Sequence, residues 1–98
     1  MKIYKKQQGS RIEYVLEGRL DTTTSPLLEA ELKHSINDIT ELIFDFDKLE
    51  YISSSGLRIL LSAQKVMNKQ GSMVIKNIND VVQDVFEVTG FIDILTIE

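Results

Sequence analysis

Residues 42–57 read LIFDFDKLEYISSSGL. Leu42 to Asp47 is short and rich in aromatic and branched side chains, the composition of a central strand covered on both faces. Lys48 to Ile52 then reads as its tail. Ser53, Ser54 and Ser55 lead through Gly56 into Leu57, Leu60, Leu61, Gln64 and Met67, a helical spacing whose apolar stripe is widened by Ile59, Ala63 and Val66. This helix is broadly buried, and Gly71 stops it. A buried strand, a tight serine turn and a buried helix make one α/β unit.

Outward from that unit the periodicity keeps alternating. Upstream, Ile12, Tyr14 and Leu16 alternate with Glu13 and Glu17, and Ile3 to Gln7 precedes them across a Gln8, Gly9, Ser10 turn, which predicts an N-terminal hairpin. Thr22, Thr23, Thr24 and Ser25 supply hydroxyl N-caps, Pro26 suits the first helical position, and Leu28, Leu32 and Ile36 recur every four residues, giving a helix that ends before Thr40. Downstream, Met73 to Lys76 is a short strand. Asn79 caps a helix carrying Val81, Val82, Val85 and Phe86 up to Gly90, and Ile94 to Ile97 is a last strand. The order hairpin, helix, strand, helix, strand, helix, strand implies right-handed crossovers and a mostly parallel sheet.

Ninety-eight residues hold one core, so residues 1–98 form a single domain. Folded, such a chain exposes ~5,700 Å² against ~16,000 Å² unfolded, enough burial to fold unaided. With 43% apolar and 27% charged residues it is globular and not disordered. The net charge of −4 repels phosphate backbones, which argues against nucleic acid as a partner. Zero cysteines and the single His34 leave little for disulfides, thiolate sites or imidazole metal clusters, so no metal and no cofactor is expected. The N-terminus, with Lys2, Lys5 and Lys6 among polar residues, has no signal-like apolar run, and no stretch reaches membrane-spanning length. A cytoplasmic protein with no membrane partner is expected.

In a strand, turn, helix unit the first helical N–H groups point into the crevice above the strand ends, the usual functional edge of an open parallel sheet. Ser53 to Gly56 lies there. A serine hydroxyl at that place caps the helix; phosphorylated, it sets a dianion against free N–H donors and the positive end of the dipole. Spacing alone favours the cap.

The chain resembles the STAS domain, the fold of the bacterial anti-sigma factor antagonists, over essentially its whole length. Four segments carry the resemblance: Gly18, Arg19, Leu20, Asp21, similar to the family's GxLD turn; the LIFDFDKLEYI strand and tail; Ser54, Ser55, Gly56, Leu57, similar to its SSGL or STGL signature; and Phe86 to Ile94, similar to its late F-x-x-x-G-[LF] segment. The resemblance implies an α/β fold with a mixed, mostly parallel sheet of four to five strands packed with helices. It implies that Ser54, two positions before the signature glycine, is the phosphoacceptor, with Ser53 and Ser55 as the lesser candidates. Ser53 stands where the family usually has Asp. Many relatives add a further C-terminal helix, for which no residues remain after Glu98.

The function so implied is a partner switch. The unphosphorylated domain binds an anti-sigma factor that is also a serine kinase of the histidine-kinase-like ATPase fold; phosphorylation releases it, and a PP2C-type phosphatase restores it. Asp21, Thr22, Ser53, Ser55, Gly56, Leu57 and Arg58 make up the expected docking face, and the domain acts as a monomer. A phosphate adds ~1.5 to 2 negative charges to an acidic surface, to which Asp45, Asp47 and Glu50 near the same edge contribute. The alternative is the small STAS subunit that docks on the ATPase of a phospholipid-trafficking ABC transporter, where Thr often replaces Ser at the signature.

Each residue also has a plainer reading. Asp21 tightens its turn by accepting backbone N–H bonds. Asp45 and Asp47, two apart on a strand, lack the further ligands a metal needs. Arg58, in a first helical turn where a cation is slightly unfavourable, is either solvated or pairs Asp21 or a phosphate. His34 falls off the buried stripe and Phe91 sits half-buried at a turn. No GxSxG, GxGxxG or GxxxxGK occurs, and a lone imidazole far from the serines makes a catalytic triad a poor fit. The chain reads as a ligand and substrate of other proteins, not as an enzyme.

Overall fold

The computed structural model describes all 98 residues. β1 (Lys2–Gln8) and β2 (Arg11–Leu20) form the expected hairpin, turning over Gly9 and Ser10 with Gly9 at φ +62°. A positive φ at the first loop position suits a two-residue hairpin and favours glycine. Then follow α1 (Ser25–Ser35) with a 3-10 turn at Ile36–Asp38, β3 (Glu41–Ile52), α2 (Ser54–Gln70), β4 (Ser72–Lys76) and α3 (Asp80–Thr89), and a 3-10 turn at Phe91–Asp93. The sheet order is β1-β2-β3-β4, with β2 parallel to β3 and β3 parallel to β4.

The sheet has one covered face. Ile12, Tyr14 and Leu16 of β2, Leu42, Phe44 and Phe46 of β3, and Met73 and Ile75 of β4 point into a core of 23 buried apolar residues. Leu28 and Leu32 of α1, Leu60 and Met67 of α2, and Val82 and Phe86 of α3 complete it. Tyr14 and Phe44 stack with ring centroids 5.9 Å apart, and Phe46 follows at 6.0 Å. Burial pushes the Tyr14 phenol up to about 12, and its hydroxyl donates to Glu31 Oε1 at 3.2 Å. The alternate residues Val15, Ile43 and Val74 are only half-buried, so the expectation of a central strand covered on both faces is corrected. The opposite face carries ion pairs instead, among them Lys76 to Glu13 at 3.4 Å.

Two further expectations change. Lys48 to Ile52 is not a tail: β3 runs to Ile52 because two bulges absorb the break in its alternation. The register passes from Val15↔Asp45 to Glu17↔Lys48, and from Gly18↔Leu49 to Arg19↔Tyr51. Each extra residue flips the inward set by one, so that Phe46, Leu49 and Ile52 are all buried at odd spacings. The predicted strand at Ile94 to Ile97 reduces to a single bridge of Ile97 to Ile75, with Ile75 N–H donating to Thr96 O at 2.9 Å and Glu98 N–H to Ile75 O at 2.8 Å. The N–H groups of Ile94 and Leu95 turn back to Phe91 O, at 3.0 and 2.9 Å, so only the last residues of the predicted strand reach β4.

Candidate functional site

The parallel register places Leu20 beside Ile52, so the loops that follow β2 and β3 emerge side by side. The Ser53 N–H donates to Leu20 O at 2.9 Å, tying the serine turn to the Asp21 turn. Gly56 is required by this closeness. A Cβ there would lie 2.8 Å from Ile52 Cγ1 and from Leu20 Cγ, so only glycine lets the first turn of α2 rest on the two strand ends.

The Asp21 turn is closed on itself. Asp21 Oδ1 accepts the N–H groups of Thr23 at 3.0 Å and Thr24 at 3.1 Å. Thr24 Oγ1 in turn accepts the Asp21 N–H at 2.9 Å and donates to Arg19 O at 2.7 Å. These bonds, led by the one from the Thr24 backbone and helped by Arg19 at 3.8 Å, hold the Asp21 carboxyl below its ordinary value. The threonines thus do not cap α1 as hydroxyl N-caps: Thr24, at the N-cap position, makes no side-chain cap bond, because its hydroxyl is committed to Asp21 and Arg19. Arg19 also stands 4.5 Å over the Tyr51 ring. Sequence reading gave Thr24 a different role, and Arg19 and Tyr51 no contact of their own. The D-x-x-T spacing was a legible signal for the first; the Arg19–Tyr51 pairing exists only through the shifted register.

The serine turn is open. Ser53 is the N-cap of α2, extended at φ −98° and ψ 175°, and its C=O accepts the Leu57 N–H at 3.0 Å. Its hydroxyl caps nothing and is buried without a hydrogen-bond partner. The N–H groups of Ser54, Ser55 and Gly56 make no hydrogen bond within the protein, and no acidic residue lies in the first turn. Ser54 is exposed; Ser55 is half-buried, its Oγ 3.3 Å from Thr22 Oγ1. Uncapped N–H donors and the positive dipole end make this a place where an anion is stabilised. Between the N-termini of α1 and α2 lies a cleft of about 360 Å³, into whose wall Thr22, Ser55 and Arg58 enter.

Of the residues expected on the docking face, Asp21, Thr22, Ser53, Ser55 and Arg58 come together around Ser54. Gly56 and Leu57 do not present side chains there: Leu57 is 3% exposed in the core and Gly56 is buried, and both seat the helix. Arg58 is exposed and forms no ion pair; the partner of Asp21 is Arg19. Asp45 and Asp47 lie roughly 20 Å back along β3 from the serine turn at the usual rise per residue, which removes them from the edge. Asp45 Oδ1 accepts from Asn77 Nδ2 and from the Asp47 N–H, each at 3.0 Å. Although partial burial acts in the opposite direction, those bonds hold Asp45 below its ordinary value. His34 is exposed and Phe91 half-buried, as read from the sequence.

A small α/β domain with an open, serine-bearing helix start above a mixed sheet is what the STAS architecture provides, and the chain belongs to the STAS domain family, whose model matches residues 2–98. It is 34% identical over 84 residues to BtrV of Bordetella bronchiseptica, named as an anti-sigma factor antagonist, the match covering 84% of this chain and 72% of that one. It is 27% identical over 93 residues to the anti-sigma-B factor antagonist of Bacillus subtilis, covering 94% of this chain and 85% of that one. The structure of the anti-sigma factor antagonist SpoIIAA in its unphosphorylated form is similar at TM-score 0.78 and 18% identity, covering 99% of this chain and 87% of that one. The phosphorylated form of Bacillus SpoIIAA gives a TM-score of 0.77 at 19% identity over 99% of this chain and 91% of that one. The likeness to both forms is one of fold. No helix of the chain is long and apolar enough to cross a membrane.

Proposed function

We propose that the chain is an anti-sigma factor antagonist of a partner-switching system, working in the cytoplasm as a monomer, with Ser54 as its phosphorylated residue. What supports the choice of serine is access: Ser54 is exposed at the first position of α2, the Ser53 hydroxyl is sealed, and Ser55 is half-buried beside Thr22. Unphosphorylated, the face around Ser54 docks on an anti-sigma factor serine kinase. The kinase transfers the γ-phosphoryl group of ATP to Ser54 Oγ, forming an O–P bond as the bond to ADP breaks, and the hydroxyl proton leaves to a base of the kinase. The chain is ligand and substrate, not catalyst, and a PP2C-type phosphatase reverses the step.

The added ~1.5 to 2 negative charges are welcome to α2, whose first N–H groups are free, and unwelcome to a fitted partner surface. The modification therefore costs the antagonist's own fold little while it disrupts the complex. Affinity capture with the tagged chain, then mass spectrometry of the chain after incubation with the captured kinase and ATP, tests partner, chemistry and position together. One phosphoryl group on Ser54 is expected, with binding kept in Ser54→Ala and lost about tenfold or more in Ser54→Asp, an order-of-magnitude figure for ~1.4 kcal/mol. Full binding by Ser54→Asp together with no phosphate on any serine of the turn, or an ABC ATPase as the captured partner, overturns the reading.

A further inference from the structure

Residues 77–98 contain five acidic side chains, Asp80, Asp84, Glu87, Asp93 and Glu98, and no basic one. The other 76 residues hold eleven basic and ten acidic side chains, so the entire negative balance of the chain resides in its last quarter. None of those five acids takes part in an ion pair; the seven ion pairs of the structure all lie among residues 2–76. The same segment holds three of the five large apolar side chains left in solvent: Val88 is 88% exposed, and Val81 and Ile94 are each 51% exposed. Val81, half-buried Val85 and Val88 recur at the spacing that lines one stripe of a helix, with Asp84 beside it. Scattered surface valines are ordinary; an apolar stripe bordered by unpaired charge of one sign is not.

We propose that this face of α3 is a second docking surface, separate from the serine turn, and that its occupant is a basic amphipathic helix of a partner protein. The charge selects the occupant. Anionic lipid and nucleic acid are repelled by unpaired carboxylates, and a second copy of the chain would bring the same acidic stripe against itself. A helix with apolar residues on one stripe and Lys or Arg beside them covers the valines and pairs the acids at once. α3, ten residues long, offers about 15 Å of surface, which fits two to three turns of such a helix. The proposal does not depend on phosphorylation of Ser54.

The test uses the full chain, isotope-labelled, and a synthetic helical peptide with leucines along one stripe and lysines on its flanks. Two controls are the same peptide with every lysine replaced by glutamate, and the same composition in scrambled order. Backbone amide shifts are expected to concentrate on residues 80–94, with affinity falling as salt rises. The double variant Val81→Lys, Val88→Lys changes two exposed positions, so its thermal unfolding should match the parent, and its affinity for the lysine peptide should fall about tenfold or more, which is ~1.4 kcal/mol. Shifts centred on another surface, equal binding by the scrambled or glutamate peptide, or unchanged affinity in the double variant overturns the proposal. Self-association of the chain that the double variant abolishes also overturns it, because the face then belongs to a second copy.

Discussion

α2 and α3 each follow a parallel strand, yet their first turns are finished in opposite ways. At α3, Asn79 Oδ1 accepts the Val82 N–H at 2.8 Å, Asn79 Nδ2 donates to Leu49 O at 2.9 Å, and Asp80 adds a carboxylate to the first turn. At α2, the N-cap hydroxyl bonds to nothing, the first three N–H groups are free, and the first turn holds no acidic residue. One start is built for stability. The other leaves its donors available to an incoming anion, and a serine is the exposed residue beside them.

If α2 is held by packing and not by capping, the largest loss should come from disturbing its seat. Gly56→Val places carbon where Ile52 Cγ1 and Leu20 Cγ already stand 2.8 Å from an added Cβ. Overpacking costs about 1–3 kcal/mol, and the small gain in helix propensity over glycine, about 0.4 kcal/mol, offsets little of it. A loss of about 2–3 kcal/mol in urea unfolding is expected. Unchanged stability would mean that α2 does not rest on the strand ends.

The capped start gives the next effect. Asn79→Ala removes the cap and also leaves the Leu49 carbonyl without its donor, for an expected loss of about 1–2 kcal/mol measured the same way. The Asp21 turn is smaller again and shows itself through pH. Its carboxyl is held below the ordinary value in the folded chain, so its contribution is complete above the unfolded value near 3.8 and is lost as pH falls through the lower folded value. Asp21→Asn should therefore be less stable than the parent at neutral pH, with the gap closing as pH falls below about 4. A gap constant down to pH 2 would assign the turn to shape alone.

The two starts also differ in how far they could be read in the sequence. Asn79 before an apolar-periodic segment with Gly90 at its end names a capped helix, because the cap is made by the residue's own side chain three positions away. Ser53 before Leu57 looks the same, but whether a serine caps depends on which way its hydroxyl turns, and here it turns inward. The serine turn and Asp21 could be read as motifs; that they meet depends on the parallel pairing of Leu20 with Ile52. Lys48 to Ile52 was obscured for a similar reason. Bulges break the alternation on which strand reading rests, and their place is set by the neighbouring strand. The open sheet face was equally hidden, since Val15, Ile43 and Val74 are as apolar as core residues and only the placement of all three helices on one side leaves them uncovered.

The smallest expected effect is the most telling for the contrast. Replacing a hydroxyl N-cap by alanine ordinarily costs about 0.5–2 kcal/mol, because a helical N–H loses its acceptor. Ser53 Oγ accepts from none of them and is buried without a partner, so Ser53→Ala removes an unsatisfied polar atom and no cap bond. Stability within about 0.5 kcal/mol of the parent, or slightly above it, is expected from urea unfolding, against the larger loss in Asn79→Ala. A loss as large as that of Asn79→Ala would show that the hydroxyl turns outward in solution and caps α2. The first N–H groups would then already be occupied, a phosphate on Ser54 would have to compete for them, and the difference between the two helix starts would disappear.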